Sequence, residues 1–402
     1  MDDAPGEPTR RSDGGSSLPR AWAEVDLTAI AHNVERLRSV VAPSGVWAVV
    51  KANGYGHGAV EVAQAALRAG AQGLCVALVE EGAELRDAGV DAPILVLTEP
   101  PTHAADDLTR YRLMATVYTT RFVDALADAA RARRVDGVPV HLQVDTGMQR
   151  VGVPFDDVAE LRAVAAGVAR HHPVLVPVGV FTHLAVADDP DDEFTALQLS
   201  RFDDAHDLVA TVLPGTGPGR TLTHVANSAG GLAHPASRRS FVRAGIAVYG
   251  ISPGHGVDHL CDDLRPALSL RARVSYVKRV AAGSRISYGL RHRFARDTTV
   301  ATVPIGYADG VPRRLWAQGG EVLIGGRRRR IVGVVTMDQL MVDCDDDPVS
   351  VDDEVVLIGE QDGPDGPQRI RAEDWADQLG TIGYEIVCGI GRRVPRRYVV
   401  AS

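Results

Sequence analysis

The chain has 402 residues, 45% hydrophobic and 24% charged. That is the make-up of a water-soluble protein with room for two or three domains and a core that needs no disulfide or structural metal. Its 43 Lys+Arg against 52 Asp+Glu leave a net charge of −9, which speaks against nucleic acid or an anionic membrane as the main partner. No apolar run approaches the ~18–20 residues of a membrane span. Arg10-Arg11 has no apolar stretch behind it, so neither a secretory nor a twin-arginine signal is expected. Cys75, Cys261, Cys344 and Cys388 are scattered without a CxxC. Reduced thiols in the cytoplasm fit that pattern better than a disulfide framework or a zinc cluster.

Residues 1–20, rich in Gly, Pro, Ser and charge, read as a disordered tail. From Ala21 the pattern is globular, and Asp26 or Thr28 is placed to cap a helix over TAIAHNVERLRSVVA. Eight β-branched runs follow: GVWAVVKA (45–52), GLCVAL (73–78), APILVLT (92–98), LMATVYT (113–119), PVHLQVDT (139–146), VPVGVFTHLA (176–185), TLTHVANS (221–228) and FVRAGIAVYG (241–250). Helical stretches such as AVEVAQAALRAG, TRFVDALADAARAR and FDDVAELRAVAAGVAR separate most of them. Strands alternating with helices mean βα units and a parallel sheet. Eight units in one run predict an α/β fold of the (β/α)8 TIM-barrel type over 21–262. A doubly wound sheet is the alternative, weakened by the lack of a GxGxxG after the first strand. Beyond about residue 260, runs such as LSLRARVSYVKRV, TTVATVPIGYA and EVVLIG are joined by Gly-rich or charged turns. A smaller, mainly β domain is expected over 263–402.

Only two of the 43 basic residues are lysines, Lys51 and Lys278. Lys278 sits in the charged stretch YVKRV and reads as an ordinary surface residue. Lys51 directly follows WAVV. An amine at the end of a buried strand loses solvation and basicity, which suits a Schiff-base nucleophile; a lysine paired with an acid is the plainer alternative. Gln143, Asp145, His183, His224, Asn227, Ser228 and Arg243 lie on or near the ends of later strands, where a barrel gathers its catalytic groups. Taken singly, each reads first as an ordinary hydrogen-bonded core group or helix cap; their shared place at the strand ends is what points to a site. The three glycines of ANGYGHG (52–58) let the backbone approach a ligand closely, and the glycine-flanked donors of NSAGG and AGIAVYG suit a phosphate, ordinary turn chemistry being the alternative for either alone. A reactive lysine and a phosphate cradle in one barrel suggest pyridoxal 5'-phosphate (PLP). No P-loop, HExxH or GxSxG is present.

The stretch AVVKANGYGHG resembles the PLP-lysine motif of the alanine racemase family, fold-type III PLP enzymes. The same family pattern continues in order through HLQVDTGMQRVG, FTHLAVAD, HVANSAG and VRAGIAVYG, then RISYG, PIGYADG, VVTMDQ and TIGYEIVCGIGRRVPRRY. It covers about residues 21–400. The resemblance implies a PLP-dependent racemase interconverting L- and D-alanine. Lys51 would hold the cofactor and serve as base on one face of the substrate. Tyr288 of the partner subunit would serve on the other, as a two-base racemisation needs. Tyr55, Ser228, Gly245, Ile246 and Tyr384 would contact the phosphate. His183 would pack near the ring, and Arg243 would face the ring nitrogen. An arginine there donates a hydrogen bond but does not readily give up its proton, which would weaken the ring as an electron sink and suppress transamination. Arg150 would meet the substrate carboxylate through its planar fork, the Met337 N–H would add a contact, and Tyr307 would lie on the entry path. Tyr288, Tyr307 and Met337 would come from the second subunit, which implies a homodimer with shared sites.

One departure matters. Many members carry a carbamylated lysine where this chain has Gln143. A neutral amide still accepts a hydrogen bond but leaves Arg150 short of a counter-charge, with room for an anion such as chloride and no need of bicarbonate. Gly54, Ala244 and Thr336 are smaller departures with no function attached. Rival expectations are a racemase for serine or a basic amino acid, another fold-type III enzyme (decarboxylase, aldolase or dehydratase), and a PLP-binding protein of the barrel alone. The last lacks the β domain this chain has room for.

Overall fold

The computed structural model describes residues 20–213 and 221–400. Residues 1–19 of the expected tail lie outside the described residues. The strands of the barrel are β2 (Gly45–Val49), β3 (Gly73–Val76), β4 (Ile94–Val96), β5 (Ala115–Val117), β6 (Val138–Asp145), β7 (Leu175–Phe181), β8 (Leu222–His224) and β9 (Phe241–Ala244). All eight expected runs therefore contain a strand, each followed by helix. Parallel pairing runs β9-β2-β3-β4 and β5-β6-β7-β8. The bridge Leu95–Met114 joins one edge. The bonds Ser240 N to Thr223 O (2.9 Å) and Arg243 N to Ala226 O (3.0 Å) join the other, closing the ring.

The strands are shorter than the apolar runs. Lys51 lies beyond β2, His183 two residues beyond β7, and Asn227 and Ser228 beyond β8. Asn227, expected on the seventh strand, instead caps the helix Ser228–Ala233, its side chain accepting from Gly230 N (2.9 Å). Its amide competes with strand pairing for backbone donors, and the cap wins. Val242 and its neighbours form the eighth strand only to Ala244, after which Ile246–Tyr249 turn into a 3-10 helix.

The β-rich part holds β10 (Leu268–Arg273), β11 (Tyr276–Val280), β12 (Thr298–Val303), β13 (Glu321–Ile324), β14 (Arg327–Ile331), β15 (Leu340–Asp343), β16 (Glu354–Gln361) and β17 (Arg396–Val399). The sequence places the barrel's start at residue 21. The structure puts β1 (Ala21–Asp26) elsewhere, antiparallel to β10 and parallel to β17. The sheet order is β11-β12-β15-β14-β13-β16-β10-β1-β17. The chain thus begins in the C-terminal sheet and enters the barrel through the helix Leu27–Val41, whose first N–H groups are capped by Asp26 (2.7 and 3.1 Å). Trp22, Ala23 and Val25 are buried on this strand, and its partners on β10 and β17 are too distant in sequence for local pattern to show. Lys278 is exposed on the edge strand β11, where a charge blunts sheet extension. One continuous apolar core runs from Ala23 to Val394 through both parts.

Candidate active site

Parallel strands point their C-terminal ends to one mouth. There Lys51, Gln143, Asp145, His183, Ser228, Gly245 and Ile246 converge from five strand ends. The segment after Lys51 is a left-handed turn, with Ala52, Asn53, Gly54 and Tyr55 at φ 52, 54, 59 and 49°. Such a conformation costs about 1–2 kcal/mol at each non-glycine residue, so something must hold it. Ala52 N donates to Glu81 Oε1 (2.6 Å), and the other Glu81 oxygen accepts from Ala77 N and Leu78 N. Gly54 N reaches Val50 O (2.9 Å), Gly56 N reaches Ala52 O (3.0 Å), and Asn53 Oδ1 accepts from Ala59 N (3.1 Å).

Burial holds the Lys51 amine below the usual lysine range, and the nearby Arg150 guanidinium adds to this, while Glu81 opposes it. The amine is therefore more often neutral at physiological pH than a surface lysine. The same burial, with Arg243, Arg150 and Lys51 around it, holds His183 well below its ordinary value.

Arg243 is 2% exposed and lies at the centre of a buried network. One terminal nitrogen donates to His224 Nδ1 (2.8 Å) and His224 O (2.9 Å). The other donates to Thr182 O (2.8 Å), Val225 O (3.1 Å) and His183 Nδ1 (3.3 Å). Among the described residues this leaves Nε–H as the donor free for a ligand. Arginine only donates, so His224 and His183 accept at Nδ1 and carry their proton on Nε2. His224 Nε2 then donates to His141 Nδ1 (2.9 Å). The His224 ring stacks between Phe181 and Phe241 at 4.6 and 4.4 Å. Burial brings Arg243 down to about 10, so it stays charged at neutral pH.

The same strand ends carry a cradle of hydroxyls and backbone. Ser228 Oγ accepts from Gly245 N (2.8 Å). A Cβ on Gly245 would stand 2.7 Å from Tyr55 Oη and 3.9 Å from Ser228 Oγ. The glycine keeps open a recess faced by two hydroxyls. Burial pushes the Tyr55 and Tyr384 phenols up, so both stay protonated donors. Their rings lie 6.0 Å apart. Hydroxyl donors, a free backbone edge and no acid in this group suit a phosphate. A lysine, a phosphate cradle and an arginine donor are the three handles of PLP, and these residues fit it.

Arg150 is exposed at the mouth and shares a recess with Gln143, Asp145, Thr182 and His183. Asp145 Oδ1 shapes its loop by accepting from Gly147 N and Gln149 N (2.9 and 3.1 Å). The buried Gln143 Oε1 has no hydrogen-bond partner among the described residues. Tyr288, Tyr307 and Met337 are not gathered here. They stand on the C-terminal part, 71%, 42% and 52% exposed. Tyr307 N donates to Thr336 O and Ala308 N to Met337 O, both at 3.0 Å, so their two loops form one unit.

The description "Alanine racemase, N-terminal domain" matches residues 25–253, and "Alanine racemase, C-terminal domain" matches 267–398. The chain belongs to the alanine racemase family. It is 48% identical over 378 residues to an alanine racemase of Symbiobacterium thermophilum, covering 94% of this chain and 96% of that one. A solved alanine racemase of Clostridium difficile 630 superposes with TM-score 0.88 at 34% identity, covering 96% and 97% of the two chains. A histidine racemase of Leuconostoc mesenteroides subsp. sake superposes with TM-score 0.84 at 28% identity, over 96% and 99%.

Within this alanine racemase scaffold, sequence reading missed the groups that act on backbone. Glu81 fastens the turn after Lys51. Gln198, wholly buried on the helix Phe194–Ala210, donates to Thr146 Oγ1 and His183 O (both 3.0 Å) and accepts from Ala185 N (2.9 Å). It staples the ends of β6 and β7, and so places His183. A polar residue on the apolar stripe of that helix was the available signal.

Proposed function

We infer that the chain is a PLP-dependent racemase that interconverts L- and D-alanine, working as a homodimer with shared sites. The observation that carries the reading is the joint placement of a half-buried Lys51 of lowered basicity, the Tyr55/Ser228/Gly245 cradle and the Arg243 donor at one barrel mouth. PLP, when bound, supplies a conjugated electron-withdrawing ring that acidifies the α C–H of an attached amino acid.

The residues divide the remaining work. Tyr55, Ser228, the Gly245 and Ile246 backbone and Tyr384 bind the phosphate. Arg243 Nε–H orients the ring and keeps its own proton. Arg150 orients the substrate carboxylate through two parallel bonds. Lys51 Nζ takes or returns the α-proton on one face, and its lowered basicity favours that exchange near neutral pH. Tyr288 Oη of the partner subunit does so on the other. His183 is held neutral beside Arg243 by burial and packs near the ring. Tyr307 and Met337 of the partner subunit border the entry path, and the Met337 N–H adds a carboxylate contact. The exposure of Tyr288, Leu290, Tyr307 and Met337 on one chain supports their use in a neighbour's site. No described helix is long and apolar enough to cross a membrane; we place the enzyme in the cytoplasm.

The test is incubation of the holoenzyme with L-alanine. Optical rotation should fall to zero, with both enantiomers recovered and no pyruvate, ammonia or CO2. Retained rotation would refute the reading. The second reading is a racemase for another amino acid, such as serine or a basic one. It is favoured by the histidine racemase that shares the scaffold. A panel of L-amino acids, assayed for D-enantiomers under the same conditions, decides between them.

A further inference from the structure

The C-terminal motif GIGRRVPRRY has four arginines, none of them used by the proposed chemistry, and two of these, Arg393 and Arg396, fasten backbone and loops together. Arg396 on β17 spends its guanidinium on four backbone carbonyls. Nε donates to Gly56 O (3.0 Å), one terminal nitrogen to Gly391 O (2.6 Å) and Val394 O (2.7 Å), and the other to Ile390 O (2.6 Å). Gly56 belongs to the turn that follows Lys51. It lies so close to the C-terminal part that a Cβ there would sit 2.2 Å from Val387 O. The 389–394 segment is fastened in turn to the loop bearing Tyr307. Gly391 N donates to Asp309 O (3.0 Å). Arg393 pairs with Asp309 Oδ1 (3.2 Å) and Asp338 Oδ1 (2.8 Å). Asp309 Oδ2 accepts from Gly306 N (2.9 Å). Through Tyr307 N and Ala308 N the chain of bonds reaches Thr336 and Met337.

We propose that Arg396 is a positioning residue that couples the two half-sites one chain supplies, clamping its own Lys51 loop to the segment that carries Tyr307 and Met337. This rests on the reading that Tyr307 and Met337 serve the partner's site. A fork of five fixed donors can hold four carbonyls in one geometry, and no other side chain does so. The clamp transmits displacement because its acceptors belong to two segments far apart in sequence, the turn at Gly56 and the stretch Ile390–Val394.

The test uses hybrid dimers of a Lys51→Ala chain and a Tyr288→Phe chain, purified through two tags. Their one competent site takes Lys51 from the second chain and Tyr288, Tyr307 and Met337 from the first. R396M is placed in either chain. In the Lys51-donating chain it should weaken PLP retention and lower kcat. In the other it should raise KM for alanine about tenfold, with PLP retention unchanged. A KM that does not move in that second placement overturns the coupling. A hybrid with Arg396 intact but without activity removes the shared-site reading, and the coupling with it. Amide hydrogen exchange on the apo homodimer gives a readout without turnover. R396M should deprotect residues 56–58 and 307–309 together, and deprotection of 56–58 alone contradicts the proposal. Arg396→Lys keeps the charge but cannot span the four carbonyls. It should show the same pattern, so the test survives if R396M does not fold.

Discussion

Ser228 and Tyr55 face the same recess but are built into it differently, and their removal should separate affinity from stability. Ser228 Oγ is the acceptor for the buried Gly245 N–H at 2.8 Å. Ser228→Ala orphans that N–H, which costs about 1–3 kcal/mol of apo-protein stability. It also removes one hydroxyl from a charged phosphate, a loss of about 1.5–3 kcal/mol, or about 10- to 100-fold in PLP affinity. Tyr55 Oη has no hydrogen-bond partner among the described residues, so Tyr55→Phe orphans nothing. It should weaken PLP by a similar factor while leaving apo stability in place. The assays are urea unfolding of the apo protein and titration of apo protein with PLP followed by absorbance. Unchanged PLP affinity in both variants would refute the cradle. Equal destabilisation of both would refute the assignment of Ser228 as structural acceptor.

Acid should destabilise the fold earlier than carboxylate protonation alone would. Burial holds His57 down to about 4, His141 down to about 3, and His224 well below its usual value. The unfolded chain protonates each near 6.5, so their contribution is complete above that pH and is lost as pH falls from 6.5 toward 4. The slope is about 1.4 kcal/mol per pH unit for each histidine in that window. Chemical denaturation at pH 7, 6 and 5 measures it, and a flat profile would contradict the neutral network. Gln143 cannot carry a carbamate, so enzyme depleted of CO2 should keep its activity. Recovery of lost activity on adding bicarbonate would show that an anionic group is needed beside Arg150 after all.

The barrel was legible because most of its strands are buried on both faces and read as unbroken β-branched runs between amphipathic helices. Lys51 stood out because arginine replaces lysine almost everywhere else. Tyr288 was legible as a candidate base only through the order of motifs, since nothing about a tyrosine beside a turn marks one. The strand Ala21–Asp26 was not legible as part of the C-terminal sheet, because its partners lie at residues 268–272 and 396–399. Glu81, Gln198 and Arg396 escaped for a different reason. They act on backbone groups brought near by tertiary folding; Gln198 at least sits on the apolar stripe of its helix, while a carboxylate or guanidinium destined for such a role looks like any other surface polar residue in one dimension. The left-handed turn at 52–55 was not legible: the glycines of ANGYGHG read as room for a ligand's close approach, and Ala52 and Tyr55 gave no sign of adopting positive φ.

The presence of just two lysines makes one measurement decisive. Holoenzyme reduced with borohydride and digested should carry the pyridoxyl mass on the peptide containing Lys51, with the peptide of Lys278 unmodified. A label on Lys278, or none on either peptide, would contradict the account at its root.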